Sequence, residues 1–294
     1  MLYENSRKSS EAPSPPGTGR IAVYGIIGLL GMAAGEVLLF SGVHWVGRWF
    51  TPIMWTGYIL FIDSLIRRRK GTSLLTDYPL EFALLVLISI PSWVFFEGYN
   101  VLLKNWAYIG LPDNMVERYI GYAWAFATIS PGMFVTYELL ESYLPGKNPA
   151  KSPRLGNRLF FALTGFGLIA MIIPLIWPST YMTPLVWLGA TYFFDPINQR
   201  FGDRSFLSEF FTGRFRSTLI MFLAGLICGL LWEFWNYWAA TKWQYDVPYL
   251  GHIKLFEMPV LGFLGFMPFA VESYAMYVFV RRLIPIPRKV KYLG

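Results

Sequence analysis

The sequence predicts an all-α fold: a polytopic integral membrane bundle of about eight transmembrane helices, built as two parallel four-helix repeats. Three observations predict it. Hydrophobic residues make up 55% of the 294-residue chain and charged residues only 15%, where a soluble domain carries about a quarter charged. Apolar stretches of roughly 20 residues, the length that crosses a bilayer as a helix, recur along the chain. The second half also repeats a residue pattern of the first.

The elements follow in order. Residues 1–20 are Ser/Pro/Gly-rich (SSEAPSPPGTG) and too polar to pack, so a disordered tail is expected. The apolar run from Ile21 is too long for a secretory signal and reads as an uncleaved first helix. Spans are expected at 21–42, 44–64, 79–100, 117–140, 158–177, 180–196, 215–240 and 256–283. The sixth, around YMTPLVWLGATYFFD, is short, and a tilted or partial crossing is one reading of it. The repeats are then 21–145 and 158–285, with a cytoplasmic linker at 146–157 and a basic tail at 286–294.

Charge orients this topology. With the N-terminus in the cytoplasm, only Arg48, Lys104, Arg118, Lys242 and Lys254 of the 25 Lys and Arg residues fall on the far side. Cytoplasmic loops of membrane proteins collect basic residues in this way. A multi-pass protein of the cell (inner) membrane with both termini cytoplasmic is expected. The net charge of +7 then needs no nucleic-acid partner. A single cysteine, Cys228, excludes an internal disulfide and a thiolate metal site. Two histidines without ligand spacing give no zinc or haem site. No phosphate loop, dinucleotide fingerprint or nucleophile elbow occurs. Neither a metal nor a cofactor is expected.

The repeat is read residue by residue. TPIMWTGYILFID (51–63) matches TPLVWLGATYFFD (183–195) at Thr51/Thr183, Pro52/Pro184, Trp55/Trp187, Gly57/Gly189 and Asp63/Asp195. FFEGYNVLLKNWAYIGLP (95–112) matches LWEFWNYWAATKWQYDVP (231–248), pairing Glu97 with Glu233, Asn100 with Asn236, Trp106 with Trp243 and Tyr108 with Tyr245. Pro131 and Tyr137 correspond to Pro268 and Tyr274. Four spans per unit give both copies one orientation, as in parallel membrane repeats.

The polar residues inside these spans are the candidate site. Glu97 and Asn100, three apart, share a helix face, as do Glu233 and Asn236. A carboxylate at membrane depth is costly and usually faces the bundle interior. Two readings stay open: proton donors with orienting amides, or structural clamps accepting bonds from Trp N–H groups. Trp232, Trp235, Trp243, Tyr245, Trp106 and Tyr108 form either the walls of a ligand pocket or an interfacial belt. Glu272, where the first repeat has Val135, is a third acid, with Pro268 expected to open the helix beside it. Asp63 with Arg67 and Arg68, and Asp195 with Arg200, read either as ion pairs at helix ends or as corners for a phosphate headgroup.

Carboxylic acids among aromatic rings suit protonation of a double bond, with the ring faces stabilising the cation. Glu97 with Trp106 and Tyr108, and Glu233 with Trp243, Tyr245, Pro268 and Glu272, resemble the membrane carotenoid-modifying proteins of the lycopene cyclase domain and carotenoid hydratase types. The chain departs from the Pro-x-Glu-Glu motif of the cyclase domain, reading MPFAVE. The resemblance implies a membrane lipid or isoprenoid-like ligand, with Glu233, Glu97 and Glu272 as acids in cyclisation, hydration or isomerisation. The alternatives are a non-catalytic accessory subunit of a membrane complex, holding lipid, quinone or pigment, and a transporter or flippase.

Overall fold

A computed structural model describes residues 20–144, 146, 151–246, 248 and 251–286. The expected N-terminal tail, the C-terminal tail and part of the linker lie outside the described residues. The helices are α1 (Val23–Phe40), α2 (His44–Lys70), α3 (Leu74–Asp77), α4 (Pro79–Leu103), α5 (Met115–Tyr143), α6 (Asn157–Ile176), α7 (Thr183–Arg200), α8 (Phe206–Phe211), α9 (Arg216–Trp238) and α10 (Phe266–Leu283). Short strands are β1 (Trp106–Ile109), β2 (Lys242–Tyr245), β3 (Lys254–Leu255) and β4 (Met258–Pro259). Turns of 3-10 helix precede α7 (Thr180–Met182) and α10 (Val260–Gly265).

Among the described residues, six helical segments are long and apolar enough to cross a membrane: α1, α2, α4, α6, α9, and α10 with its preceding 3-10 turn. The chain is a membrane-embedded helical protein. Helices α5 and α7 have 29 and 18 residues but fall outside that set. Their polar content has a structural reason. Residues of α5 from Phe126 to Tyr137 are nearly all buried, and Asp195, Asn198 and Gln199 of α7 are buried too. An enclosed helix needs partners for polar side chains rather than a lipid-compatible surface.

The outermost helices show the opposite pattern. In α1 only Gly25, Gly28 and Gly35 are buried, while Val23, Ile27, Leu30 and Val37 are exposed. The glycines set the crossing with α2, because a Cβ on Gly28 would lie 2.5 Å from the Gly57 carbonyl oxygen. Helices α6 and α7 cross in the same manner, with a Cβ on Gly167 falling 2.8 Å from the Gly189 carbonyl oxygen. Small residues at such crossings let membrane helices approach closely.

Buried polar bonds tie the centre together. Ser130 of α5 meets Ser273 of α10 at 2.9 Å, and Tyr58 of α2 meets Thr136 of α5 at 2.8 Å. At the end of the bundle where α4 begins, Arg281 pairs with Glu81 at 3.0 Å, and Tyr277 donates to the same carboxylate.

Several expectations are corrected. Asp63 and Asp195 are fully buried and accept from the chain that follows their own helices. Asp63 takes Leu75 N at 3.1 Å and the Tyr24 hydroxyl at 2.8 Å. Asp195 takes Phe206 N and Leu207 N, each at 3.0 Å, and the Ser205 hydroxyl. Their oxygens hold the turns into α3 and α8 and do not form headgroup corners. Arg67 pairs with Asp77 instead, and Arg200 donates to Asn157 and covers the Phe160 ring. The region expected to open the eighth span holds β4 and a 3-10 turn, so α10 begins only at Phe266. Pro268 consequently occupies the first turn of α10, where a backbone N–H has no intrahelical acceptor to lose.

Candidate functional site

The site begins with the ends of α4 and α9. Helix α4 stops at Lys104, a left-handed residue (φ 55°) whose N–H bonds to the Asn100 carbonyl. The Asn100 side chain then fixes the reversal. Its Oδ1 accepts from Asn105 N at 2.9 Å and Trp106 N at 3.1 Å, and its Nδ2 donates to the Trp106 carbonyl at 2.9 Å. At the end of α9, Asn236 Oδ1 accepts from Trp243 N at 3.0 Å and Nδ2 donates to the Trp243 carbonyl at 2.8 Å. The amide on the last turn of each helix thus captures the strand that follows.

The two captured strands pair. β1 and β2 run antiparallel, with Trp106 opposite Tyr245 and Tyr108 opposite Trp243. Alternation along a strand puts residues two apart on one face. The W-x-Y spacing in each strand therefore gathers four rings on one side of the ribbon. The crossing is tight at Gly110 (φ +66°), where a Cβ would lie 2.1 Å from the Ala240 carbonyl oxygen.

That face roofs a cavity of about 580 Å³. Seven of the 12 tryptophans line it: Trp49, Trp55, Trp93, Trp106, Trp187, Trp232 and Trp243. Tyr108, Tyr245, Tyr122, Phe126, Phe266 and Phe269 add further rings. The rings contact one another: Trp93 lies 5.6 Å from Trp232, 5.8 Å from Trp106 and 5.8 Å from Phe269, centroid to centroid. Trp232 continues the array to Trp55 at 5.9 Å and Trp243 at 5.3 Å. Charge enters through Arg48, Glu117, Arg118 and Lys242.

Glu97 and Glu233 sit behind this wall and not in it. Glu97 Oε1 accepts from Trp93 Nε1 at 2.8 Å, Trp106 Nε1 at 3.2 Å and the Tyr108 hydroxyl at 2.5 Å. Glu233 Oε1 accepts from the Tyr245 hydroxyl at 2.8 Å, and that hydroxyl accepts from Trp243 Nε1 at 2.7 Å. Between them the two carboxyls orient five wall rings. The rings stand between each acid and the cavity, so direct proton transfer from Glu97 or Glu233 to a ligand is not the geometry present. The bonds that each acid accepts are those the clamp reading of the sequence describes. Glu272 is fully buried, and neither carboxyl oxygen has a hydrogen-bond partner among the described residues. It too lies outside the wall, although Pro268 and Phe269 beside it belong to it.

Tyr108 and Tyr245 are the lining residues whose hydroxyls are bonded to the two carboxyls. Burial, reinforced by the adjacent Glu97 carboxylate, holds the Tyr108 phenol well above its ordinary range. Burial beside Glu233 does the same for Tyr245. Both stay neutral and act as donors.

Of the predicted ligand-binding residues, Trp106, Tyr108, Trp232, Trp243 and Tyr245 line the cavity. Asn100 and Asn236 support it from behind. Trp235 packs instead against Trp55 at 5.1 Å and Tyr58 at 6.0 Å. The sequence reading passed over Trp55 and Trp187 as site residues, although both stood out as matched positions of the repeat. It also passed over Trp93, which lies one helical turn before Glu97. Searches of family models, curated proteins and solved structures find no match to this chain.

Proposed function

We propose that this protein binds a long apolar, isoprenoid-like ligand in the tryptophan-lined cavity under the β1–β2 ribbon. One observation carries the reading: a cavity of about 580 Å³ lined by seven tryptophans, two of which, Trp93 and Trp106, have their indoles held by the Glu97 carboxyl. A cavity within roughly 300–1,000 Å³ suits a drug-sized ligand, and largely aromatic walls with few polar groups suit an apolar one. Holding the rings in advance lowers the ordering cost of binding.

The wider architecture belongs to the same proposal. The chain reads as two four-helix units of one orientation, α5 and α7 completing eight spans, in the cell membrane with both termini cytoplasmic. What supports it is recurrence. The Gly-to-Gly crossing, the buried Asp at the following turn, the strand-capturing Asn and the ring-holding Glu each occur once per half. The cavity lies where the halves meet, a common place for a ligand site in repeat-built membrane proteins.

Acid-catalysed conversion of the bound ligand is the second reading. The observation that favours it is the pair of phenols in the wall, each backed by a carboxyl. A proton would then pass through Tyr108 or Tyr245.

The test is extraction and mass spectrometry of lipids that co-purify with the mildly solubilised protein, for wild type and Ala125→Trp, which fills the cavity from α5. Wild type should retain an isoprenoid-like lipid near one per chain, and the filled variant should lose most of it. Equal retention, or none in wild type, overturns the proposal. A ligand that accumulates in altered form in Tyr108→Phe selects the catalytic reading.

A further inference from the structure

The cation distribution around the cavity carries a statement about the ligand's polar end. Five basic residues lie in segments at the cavity end of the bundle: Arg48, Lys104, Arg118, Lys242 and Lys254. Three of these five line the tryptophan-walled cavity. An end so poor in cations has no general reason to concentrate them at an apolar chamber.

The three are not equivalent. Lys242 is neutralised by Glu257 at 2.6 Å. Arg48 donates Nη1 to Glu117 Oε1 at 2.8 Å, with both side chains partly exposed. Arg118 has no carboxylate partner among the described residues. Its Nε and Nη2 both donate to the Pro112 carbonyl, at 3.0 and 2.7 Å, and among the described residues no bond is made by Nη1. Of the two guanidiniums lining the cavity, only Arg48 is paired with a carboxylate. Arg118 also sits in the opening turns of α5, where aligned backbone dipoles add positive potential. The Pro112 carbonyl fixes the guanidinium plane in advance of any ligand.

Such an arrangement takes an oxyanion. Guanidinium presents paired donors that match phosphate, and charge-assisted bonds of this kind are the strong ones. We infer that the ligand is an amphiphile: an isoprenoid-like body among the tryptophans and a phosphate head between Arg118 and Arg48. This rests on the proposed function above and adds the chemistry of the head. The sequence alone pointed to the arginines near Asp63 and Asp195 for such a role, at the other end of the bundle.

The experiment compares three probes on the purified full-length protein in detergent, by quenching of tryptophan fluorescence: geranylgeranyl monophosphate, geranylgeraniol and inorganic phosphate. The phosphate lipid should bind about tenfold or more tighter than the alcohol, the factor expected of one charge-assisted bond. Added salt should narrow the gap. Arg118→Gln should remove most of the preference while leaving alcohol binding in place, and Arg118→Lys should keep part of it. Equal wild-type affinity for the two lipids, or a preference unchanged in Arg118→Gln, overturns this inference and leaves the apolar cavity standing. Inorganic phosphate that binds alone and competes no better against the lipid phosphate than against the alcohol would assign the rim to a free anion and overturn it too. Failure of both lipids to bind removes the proposed function itself.

Discussion

Glu97 and Glu233 occupy matching places near the ends of α4 and α9, each beside an asparagine that captures a strand, yet they are wired differently. Glu97 takes three donors on one oxygen, two indoles and a phenol, and keeps partial exposure. Glu233 is sealed, takes the Tyr245 phenol, and reaches Trp243 through that phenol's own oxygen. Its Oε2 has no hydrogen-bond partner among the described residues. The first half is a hub and the second a chain. A hub concentrates the cost of loss on the acid, whereas a chain places it on the middle link. Matched sequence positions therefore need not carry matched energetic weight.

The largest effects should come from removing the acids. Glu97→Leu strands the donors of Trp93, Trp106 and Tyr108 in or beside the cavity wall. An unsatisfied buried donor costs about 1–3 kcal/mol, so the loss should total about 3 kcal/mol or more. Glu233→Leu strands one phenolic donor and deletes an oxygen that was already unpartnered, for about 1–2 kcal/mol. Thermal unfolding of the two variants in one detergent measures the order. A Glu233→Leu variant as destabilised as Glu97→Leu would show that the halves are energetically alike.

Removing the phenolic oxygens should reverse the ranking. Tyr245→Phe breaks both links of its chain, leaving the Trp243 indole and the Glu233 carboxyl without this hydroxyl, and should cost about 2 kcal/mol. Tyr108→Phe leaves Glu97 with its two indole donors and should cost about 1 kcal/mol. The crossing of the two series is a sharper test than either magnitude, because a uniform difference in packing between the halves would give the same order in both.

How much of this was legible follows from range. The matched acids, amides and W-x-Y pairs were readable, since each lies within a dozen residues of its partner. The helical, membrane-embedded class was readable because apolar runs of bilayer length are local. The ribbon was not: Trp106 and Tyr245 pair across nearly half of the chain, and strands of four residues leave no local periodicity to detect. That pairing brings the four rings to the cavity wall, whose lining residues do not include Glu97 or Glu233, a placement that residue type and depth alone do not give. Trp93 was hidden for another reason. It lies four residues before Glu97, but the matching place in the second half is Gly229, so the repeat lent it no weight. Arg118 was counted as a leftover of the charge bias, and only the fold brings it to the cavity rim.

The smallest effect concerns pH, and it tests what the two halves share. Both phenols are held well above the ordinary tyrosine range by burial and an adjacent carboxylate. An unfolded chain releases these protons near pH 10, roughly the ordinary phenol value. The folded chain retains them to higher pH. Below about pH 10 both states hold the proton and the contribution of each pair is present in full. As pH rises beyond that value toward the folded pKa, the unfolded state binds fewer protons than the folded one, and stability falls. Near-ultraviolet tyrosinate absorbance of the native protein should therefore show no contribution from Tyr108 or Tyr245 at the ordinary tyrosine midpoint. The alkaline titration of Tyr108→Phe and of Tyr245→Phe should overlay that of wild type until unfolding begins. Amplitude missing from the ordinary range in either variant would mean that its phenol is neither sealed nor tied to its carboxyl, and the corresponding half of the wall would lose its anchor.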